Sequence, residues 1–159
     1  MAVEIERKFL LKNTHWKQHA KSWRDYSQGY LTTPGGKSSI RVRTCDDRAW
    51  LNIKSATLGM QRAEFDYEIP LQDAQEMLTT LCLRPVIKKR RYYVPYSQHT
   101  WEVDEFGAEN AGLVVAEIEL SDVDEAFDLP EWIGREVTDD PRYYNISLVD
   151  YPYSEWKHE

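Results

Sequence analysis

Apolar and polar residues alternate with a period of two through eight stretches of the chain, at 3–11, 28–32, 39–45, 48–55, 62–69, 86–95, 99–106 and 113–120. That alternation predicts strands with one face buried. Turn-prone pieces such as Thr33-Pro34-Gly35-Gly36-Lys37 and Cys45-Asp46-Asp47-Arg48 separate several of them. Helical spacing replaces the alternation in two places. Residues 14–26 put Trp16, Ala20 and Trp23 on one face, with Thr14 or Asn13 as a cap, and residues 71–83 do the same with Leu71, Ala74, Leu78 and Leu81. Shorter helices are expected near 122–127 and 141–148, the latter opened by Asp139-Asp140-Pro141. No repeat, low-complexity tract or linker interrupts the pattern, so one continuous domain over 1–159 is the simplest division. The expectation is a β-rich α+β fold, mostly antiparallel, and about eight strands suffice to close a barrel.

The polar positions of these strands are unusual in carrying charge. Residues two apart share a face of a strand. Glu4, Glu6 and Lys8 therefore stand together, as do Arg41 with Arg43, Asn52 with Lys54, and Arg62 with Glu64, Asp66 and Glu68. Lys89 pairs with Arg91, Glu102 with Asp104, and Glu117 with Glu119. An ordinary solvated sheet face would explain any one strand. Seven charge-dense strands, with the two signs sorted by strand, argue for more. If the helices cover the apolar outer faces, the charged faces point into the barrel, and the interior is a binding channel. Like charges about 4 Å apart cost about 4 kcal/mol per pair at an effective dielectric near 20, so converging Lys and Arg demand a polyanion. Facing carboxylates demand a hard divalent cation with a taste for oxygen ligands. Together they specify a metal-chelated polyphosphate.

Composition sharpens this. The 159 residues carry 20 Lys+Arg against 27 Asp+Glu, a net charge of −7, with 42% apolar and 13% aromatic residues. Disordered and collagen-like classes are excluded, and a nucleic-acid coat protein would be basic. The acidity does not oppose a polyphosphate ligand; it implies one that arrives with metal. Two widely spaced cysteines, Cys45 and Cys82, give neither a disulfide framework nor a zinc site. The charged start and the lack of any apolar run of about 18 residues lead to a cytoplasmic expectation without a membrane partner.

Glu4-Ile5-Glu6-Arg7-Lys8 resembles the ExExK signature of the triphosphate tunnel metalloenzymes, the CYTH superfamily. Gln28-Gly29-Tyr30-Leu31, Ser39-Ile40-Arg41-Val42-Arg43, Lys54, Arg62-Ala63-Glu64-Phe65, Lys89-Arg90-Arg91-Tyr92, Trp101-Glu102-Val103-Asp104 and Glu117-Ile118-Glu119-Leu120 resemble its successive tunnel strands, in order. Val137-Thr138-Asp139-Asp140-Pro141-Arg142-Tyr143-Tyr144-Asn145 resembles its closing segment, whose helix plugs one tunnel mouth. The resemblance spans nearly the whole chain and fits the short bacterial stand-alone members. It implies an eight-stranded antiparallel closed barrel with helices outside, and a triphosphate substrate. It also implies that Lys8, Arg41, Arg43, Lys54, Lys89 and Arg91 bind phosphate oxygens. Glu4, Glu6, Glu117 and Glu119, with Glu64 and Asp104 as further candidates, would hold Mg²⁺ or Mn²⁺, two ions being expected. Lys8, with Tyr30 as its partner, would have a catalytic part in preparing water. Arg7, Lys88 and Arg90 are read as outward or rim charges.

With no base- or thiazole-specific motif, hydrolysis of inorganic tripolyphosphate to pyrophosphate and phosphate is the favoured reading. A thiamine or nucleoside triphosphatase, a class IV-type adenylyl cyclase and a non-catalytic polyphosphate-binding protein are the alternatives. The acidic pairs favour an enzyme, since an anion sensor would need only the basic strands. No nucleic-acid partner is expected, because aromatic and basic residues fall on opposite faces. His15 and His19 are read as surface residues, and an exposed aromatic tail (Tyr151, Tyr153, Trp156) offers a homodimer contact.

Overall fold

The computed structural model describes residues 2–156. Nine strands run β1 (Val3–Leu11), β2 (Ser22–Tyr30), β3 (Ser38–Cys45), β4 (Arg48–Ser55), β5 (Gln61–Ile69), β6 (Ile87–Tyr96), β7 (His99–Phe106), β8 (Val114–Glu119) and β9 (Ile133–Glu136). Every pairing is antiparallel, in the order β5-β4-β3-β2-β6-β7-β8-β1, and β1 returns to β5 to close an eight-stranded barrel. The ninth strand lies against the second half of β1. Closure is shared along β1: Val3–Ile5 pair with β5, Glu6–Leu10 with β8, and Phe9 and Leu11 with β9.

The period-two pattern places the apolar face outside, where other parts of the chain cover it. Phe9, Trp16, Val94, Trp101, Val103, Ala116, Ile118 and Trp132 form one outer core, with Trp101 and Trp132 edge to face at 5.9 Å. A second outer core seats helix α1 (Leu71–Thr80) on β3 and β4, through Ala74, Met77 and Leu78 against Val42, Ala49 and Leu51. A third lies at one end of the barrel. There the inward face changes from charged to apolar, with Ile87, Phe106 and Val115, and Tyr143, Leu148, Val149 and Trp156 pack against them. No helix among the described residues is long and apolar enough to cross a membrane.

Several expectations are corrected. Residues 14–26 are not a helix: a short 3-10 turn covers His15–His19, and Ser22–Tyr30 is a strand paired with β6 from Ser22↔Tyr93 to Gln28↔Ile87. No helix forms near 122–127, because the Asp122 side chain accepts from Asp124 N at 2.8 Å and Glu125 accepts from Ser121 N at 2.7 Å, satisfying those amides locally. The helix expected over 141–148 is a 3-10 turn at Pro141–Tyr143 followed by a single-turn helix α2, Ser147–Asp150. Trp156 is folded inward, edge to face with Tyr143 at 5.1 Å, so the aromatic tail packs on its own chain and Tyr151 is its exposed member. Arg7 and Arg90 do point outward, pairing with Glu136 and with Asp25.

Helix α1 can approach the barrel because position 29 has no side chain. A Cβ on Gly29 would lie 2.8 Å from both Cβ and Sγ of Cys82 and 3.0 Å from Leu78 Cδ2. Gly29→Ala is expected to destabilise the fold by about 1–3 kcal/mol through overpacking, read from the urea midpoint.

Candidate active site inside the barrel

The inward-facing charges enclose a cavity of about 210 Å³. Its walls carry seven cations (Lys8, Arg41, Arg43, Lys54, Arg62, Lys89, Arg91) and seven acids (Glu4, Glu6, Glu64, Asp66, Glu102, Glu117, Glu119). Strand register sets their order. Glu6 stands opposite Glu119, Lys8 opposite Glu117, and Glu117 opposite Glu102; across the closing seam Glu4 faces Arg62. Tyr30, Ser39 and Asn52 line the same space, and Tyr144, Asn145 and Ile146 close it from the segment after β9.

Most of these charges hold one another. Lys54 Nζ lies 3.1 Å from Glu4 Oε2 and 3.6 Å from Glu64, and Arg62 bridges Glu4 (3.4 Å) and Glu6 (3.3 Å). Arg91 is clamped by Glu102 at 2.5 Å and by Asp104 at 2.7 Å, with Glu117 at 3.6 Å. Lys89 Nζ donates to Asp104 Oδ2 at 2.8 Å. Lys8 Nζ donates to the Tyr143 carbonyl at 3.1 Å and sits 3.5 Å from Glu117. Two cations stand apart. Among the described residues Arg41 and Arg43 have no carboxylate partner, and the buried Nε of Arg41 has no hydrogen-bond acceptor at all.

The acids respond to this crowding. Burial, then Glu117, pushes Glu6 up to about 7, and burial likewise brings Glu102 to about 7 against the pull of Arg91. Burial with Glu4 and Glu6 raises Glu119, and burial raises Glu4 against Lys54. Glu117 goes the other way: Lys8, Arg91 and Lys89 overcome its burial and hold it well below the usual range. Among the cations, burial lowers Lys89 to about 7, and burial beside Arg41 and Arg91 lowers Arg43 to about 10.

Of the expected site residues, Lys8, Tyr30, Arg41, Arg43, Lys54, Lys89, Arg91, Glu4, Glu6, Glu64, Glu117 and Glu119 all line the one cavity. Asp104 does not; it lies behind Lys89 and Arg91, with both oxygens taken up by them. Arg62, Glu102, Tyr144 and Asn145 line the cavity but are absent from the expected set. Arg62 and Glu102 shared faces with residues that were in it. Tyr144 and Asn145 sit on irregular chain, where no periodicity marks them.

The donor set fits a hard dication. Glu4, Glu6, Glu117 and Glu119 present carboxylate oxygens from adjacent strands, and like charges directly opposite, as Glu6 and Glu119 are, destabilise a sheet unless neutralised. Among the described residues no three Asp, Glu, His or Cys side chains converge as a ready-made metal site.

Known proteins resemble this chain in sequence and fold. The family model of the CYTH domain matches residues 2–149. A curated inorganic triphosphatase of Acetivibrio thermocellus is 48% identical over 157 residues, 99% of each chain. Another, of Nitrosomonas europaea, is 35% identical over 152 residues, covering 92% of this chain and 97% of its own. The crystal structure of an inorganic triphosphatase superposes with a TM-score of 0.67 at 31% identity, covering 94% of this chain and 95% of that one.

Proposed function

This chain belongs to the CYTH domain family, and from that membership we propose that it hydrolyses inorganic tripolyphosphate to pyrophosphate and phosphate with the help of Mg²⁺ or Mn²⁺. The observation that carries the reading is the pair Arg41 and Arg43, which among the described residues no carboxylate reaches as an ion pair, Glu64 acting on Arg41 only from a distance. A polyanion supplies what they lack.

In this reading Arg41, Arg43, Lys54, Lys89 and Arg91 hold phosphate oxygens by charge-assisted hydrogen bonds. An ammonium has three donors. Lys8 donates one hydrogen bond to Tyr143 O and forms an ion pair with Glu117 at 3.5 Å, which leaves it a donor for a phosphate oxygen at the closed end of the cavity. Tyr30 lines the same cavity and is assigned as the partner of Lys8 in orienting the attacking water. Glu4, Glu6, Glu117 and Glu119 would hold the divalent ion, which would neutralise phosphate charge and favour a nucleophilic water. Glu64 is a further acid beside Lys54. Asp104 is assigned to aiming Lys89 and Arg91 rather than to metal. Water attacks a terminal phosphorus in line with the bridging oxygen, which departs with pyrophosphate.

A substrate panel tests the assignment. With Mg²⁺ or Mn²⁺, tripolyphosphate is expected to release phosphate faster than ATP or thiamine triphosphate, and EDTA is expected to stop the release. Cyclic AMP formation from ATP at a rate rivalling phosphate release from tripolyphosphate would overturn it.

A further inference from the structure

One fully buried polar side chain behind the cavity wall has no place in the reaction above. Gln28 on β2 is 0% exposed and does not line the cavity, yet its amide serves two residues that do. Its Oε1 accepts from Arg43 Nε at 3.0 Å, and its Nε2 donates to Asn145 Oδ1 at 2.6 Å. The same oxygen of Asn145 accepts from Lys89 Nζ at 3.0 Å. One buried amide thus joins a cation of β3, a cation of β6 and the segment that closes the cavity.

Arg43 needs such a hold more than its neighbours. Carboxylates orient Arg91, Lys54 and Arg62, and each gives up part of its charge to that partner. Arg43 is held by neutral groups: Gln28 Oε1 on its Nε, and the Tyr26 ring, whose centroid lies 4.6 Å from the guanidinium carbon. Strand register builds this in, because Gln28 stands directly opposite Arg43 in the β2–β3 pair. A carboxylate at position 28 would aim the guanidinium but neutralise it. An apolar side chain would leave Nε without an acceptor inside the protein. The amide aims the charge and leaves it whole.

We propose that Gln28 is a positioning residue that directs Arg43 at the phosphate oxygens of the substrate and, through Asn145, sets the closing segment and Lys89 to match. The inference rests on the tripolyphosphate reading of the cavity.

A double-mutant cycle of Gln28→Met and Arg43→Met tests it. Tripolyphosphate affinity is measured by calorimetry in magnesium-free buffer, and KM and kcat with Mg²⁺. Gln28→Met alone is expected to weaken affinity and raise KM roughly fivefold to tenfold with kcat within about twofold, and to cost clearly less, through Asn145 and Lys89 alone, in the Arg43→Met background. If Gln28→Met does not fold, Gln28→Glu enters the same cycle, with the same expected loss from pairing the Arg43 charge. Equal losses in both backgrounds, or an unchanged KM in the single variant, would overturn the proposal. Binding of tripolyphosphate by the wild type without hydrolysis would instead sink the triphosphatase reading and leave the cycle readable in affinity. No binding at all by the wild type overturns both.

Discussion

Glu6→Gln is expected to slow tripolyphosphate hydrolysis by more than about 100-fold while making the ligand-free protein no less stable than the wild type. The loss of rate follows from its place in the acid wall, since even groups that merely support metal ligands cost about 10–100-fold when removed. The stability follows from what Glu6 endures when ionised. Its nearest cation is Arg62 at 3.3 Å, while Glu117 and Glu4 oppose its charge and burial removes most of its hydration. An acid whose folded pKa is raised from 4.5 to about 7 binds its proton more tightly in the folded chain than in the unfolded one. Stability therefore falls as the pH climbs through that window and stays lower above it, by roughly 3 kcal/mol for such a shift. Glutamine keeps the shape and can still accept from Arg62 without carrying the charge. Thermal melts should separate the two proteins at pH 8 and bring them together near pH 4. A less stable Glu6→Gln protein at pH 8 would show that Glu6 is an asset to the empty barrel, and retained activity would remove it from the metal site.

Arg41→Met is expected to raise KM for tripolyphosphate about 10–100-fold, the range given by losing a hydrogen bond from a charged donor worth about 1.5–3 kcal/mol, with little change in melting temperature. The empty protein gains little from this guanidinium: its buried Nε is unsatisfied, and its attraction to Glu64 is set against its repulsion of Arg43. Arg91 is the contrasting case, because its removal would leave Glu102 without an ion pair and take one of two cations from each of Asp104 and Glu117. Steady-state kinetics and calorimetric melts on Arg41→Met decide the matter. An unchanged KM would place the phosphate chain elsewhere, and a large drop in melting temperature would mean the side chain is structural.

Much of the barrel could be read from parity, because a closed sheet with helices outside leaves each strand one wet and one dry face. The strands of β3 to β8 appear within one or two residues of their expected limits. Parity failed where both faces are wet. Ser22, Trp23, Arg24 and Asp25 are all exposed, so the first half of β2 shows no alternation, and the spacing of Trp16, Ala20 and Trp23 imitated a helix. Its strand character comes from pairing with β6, a long-range contact that no local pattern announces. Arg62 was hidden for a related reason. It lies on a strand of acids, and its use became visible only when the seam brought it opposite Glu4. Gln28 carries no charge, so sorting charges by face could not single it out.

Strand β1 has three neighbours in turn, and the amide of Lys8 is bonded to Thr138 across 130 residues of chain. Two acids of the site, Glu4 and Glu6, ride on the element whose contacts are most distant in sequence, facing Glu117 and Glu119 of β8, and such contacts form late and slowly. Chain that has not yet docked β1 therefore lacks both a closed barrel and an acid wall, so no half-folded species can capture metal and phosphate in the native arrangement. The reverse also holds. A substrate that binds only the closed barrel adds about 2.7 kcal/mol to the cost of opening it at a hundred times its Kd. Turnover then has a mechanical side: each substrate molecule splints the enzyme shut, and each departing product returns the seam to its unaided strength.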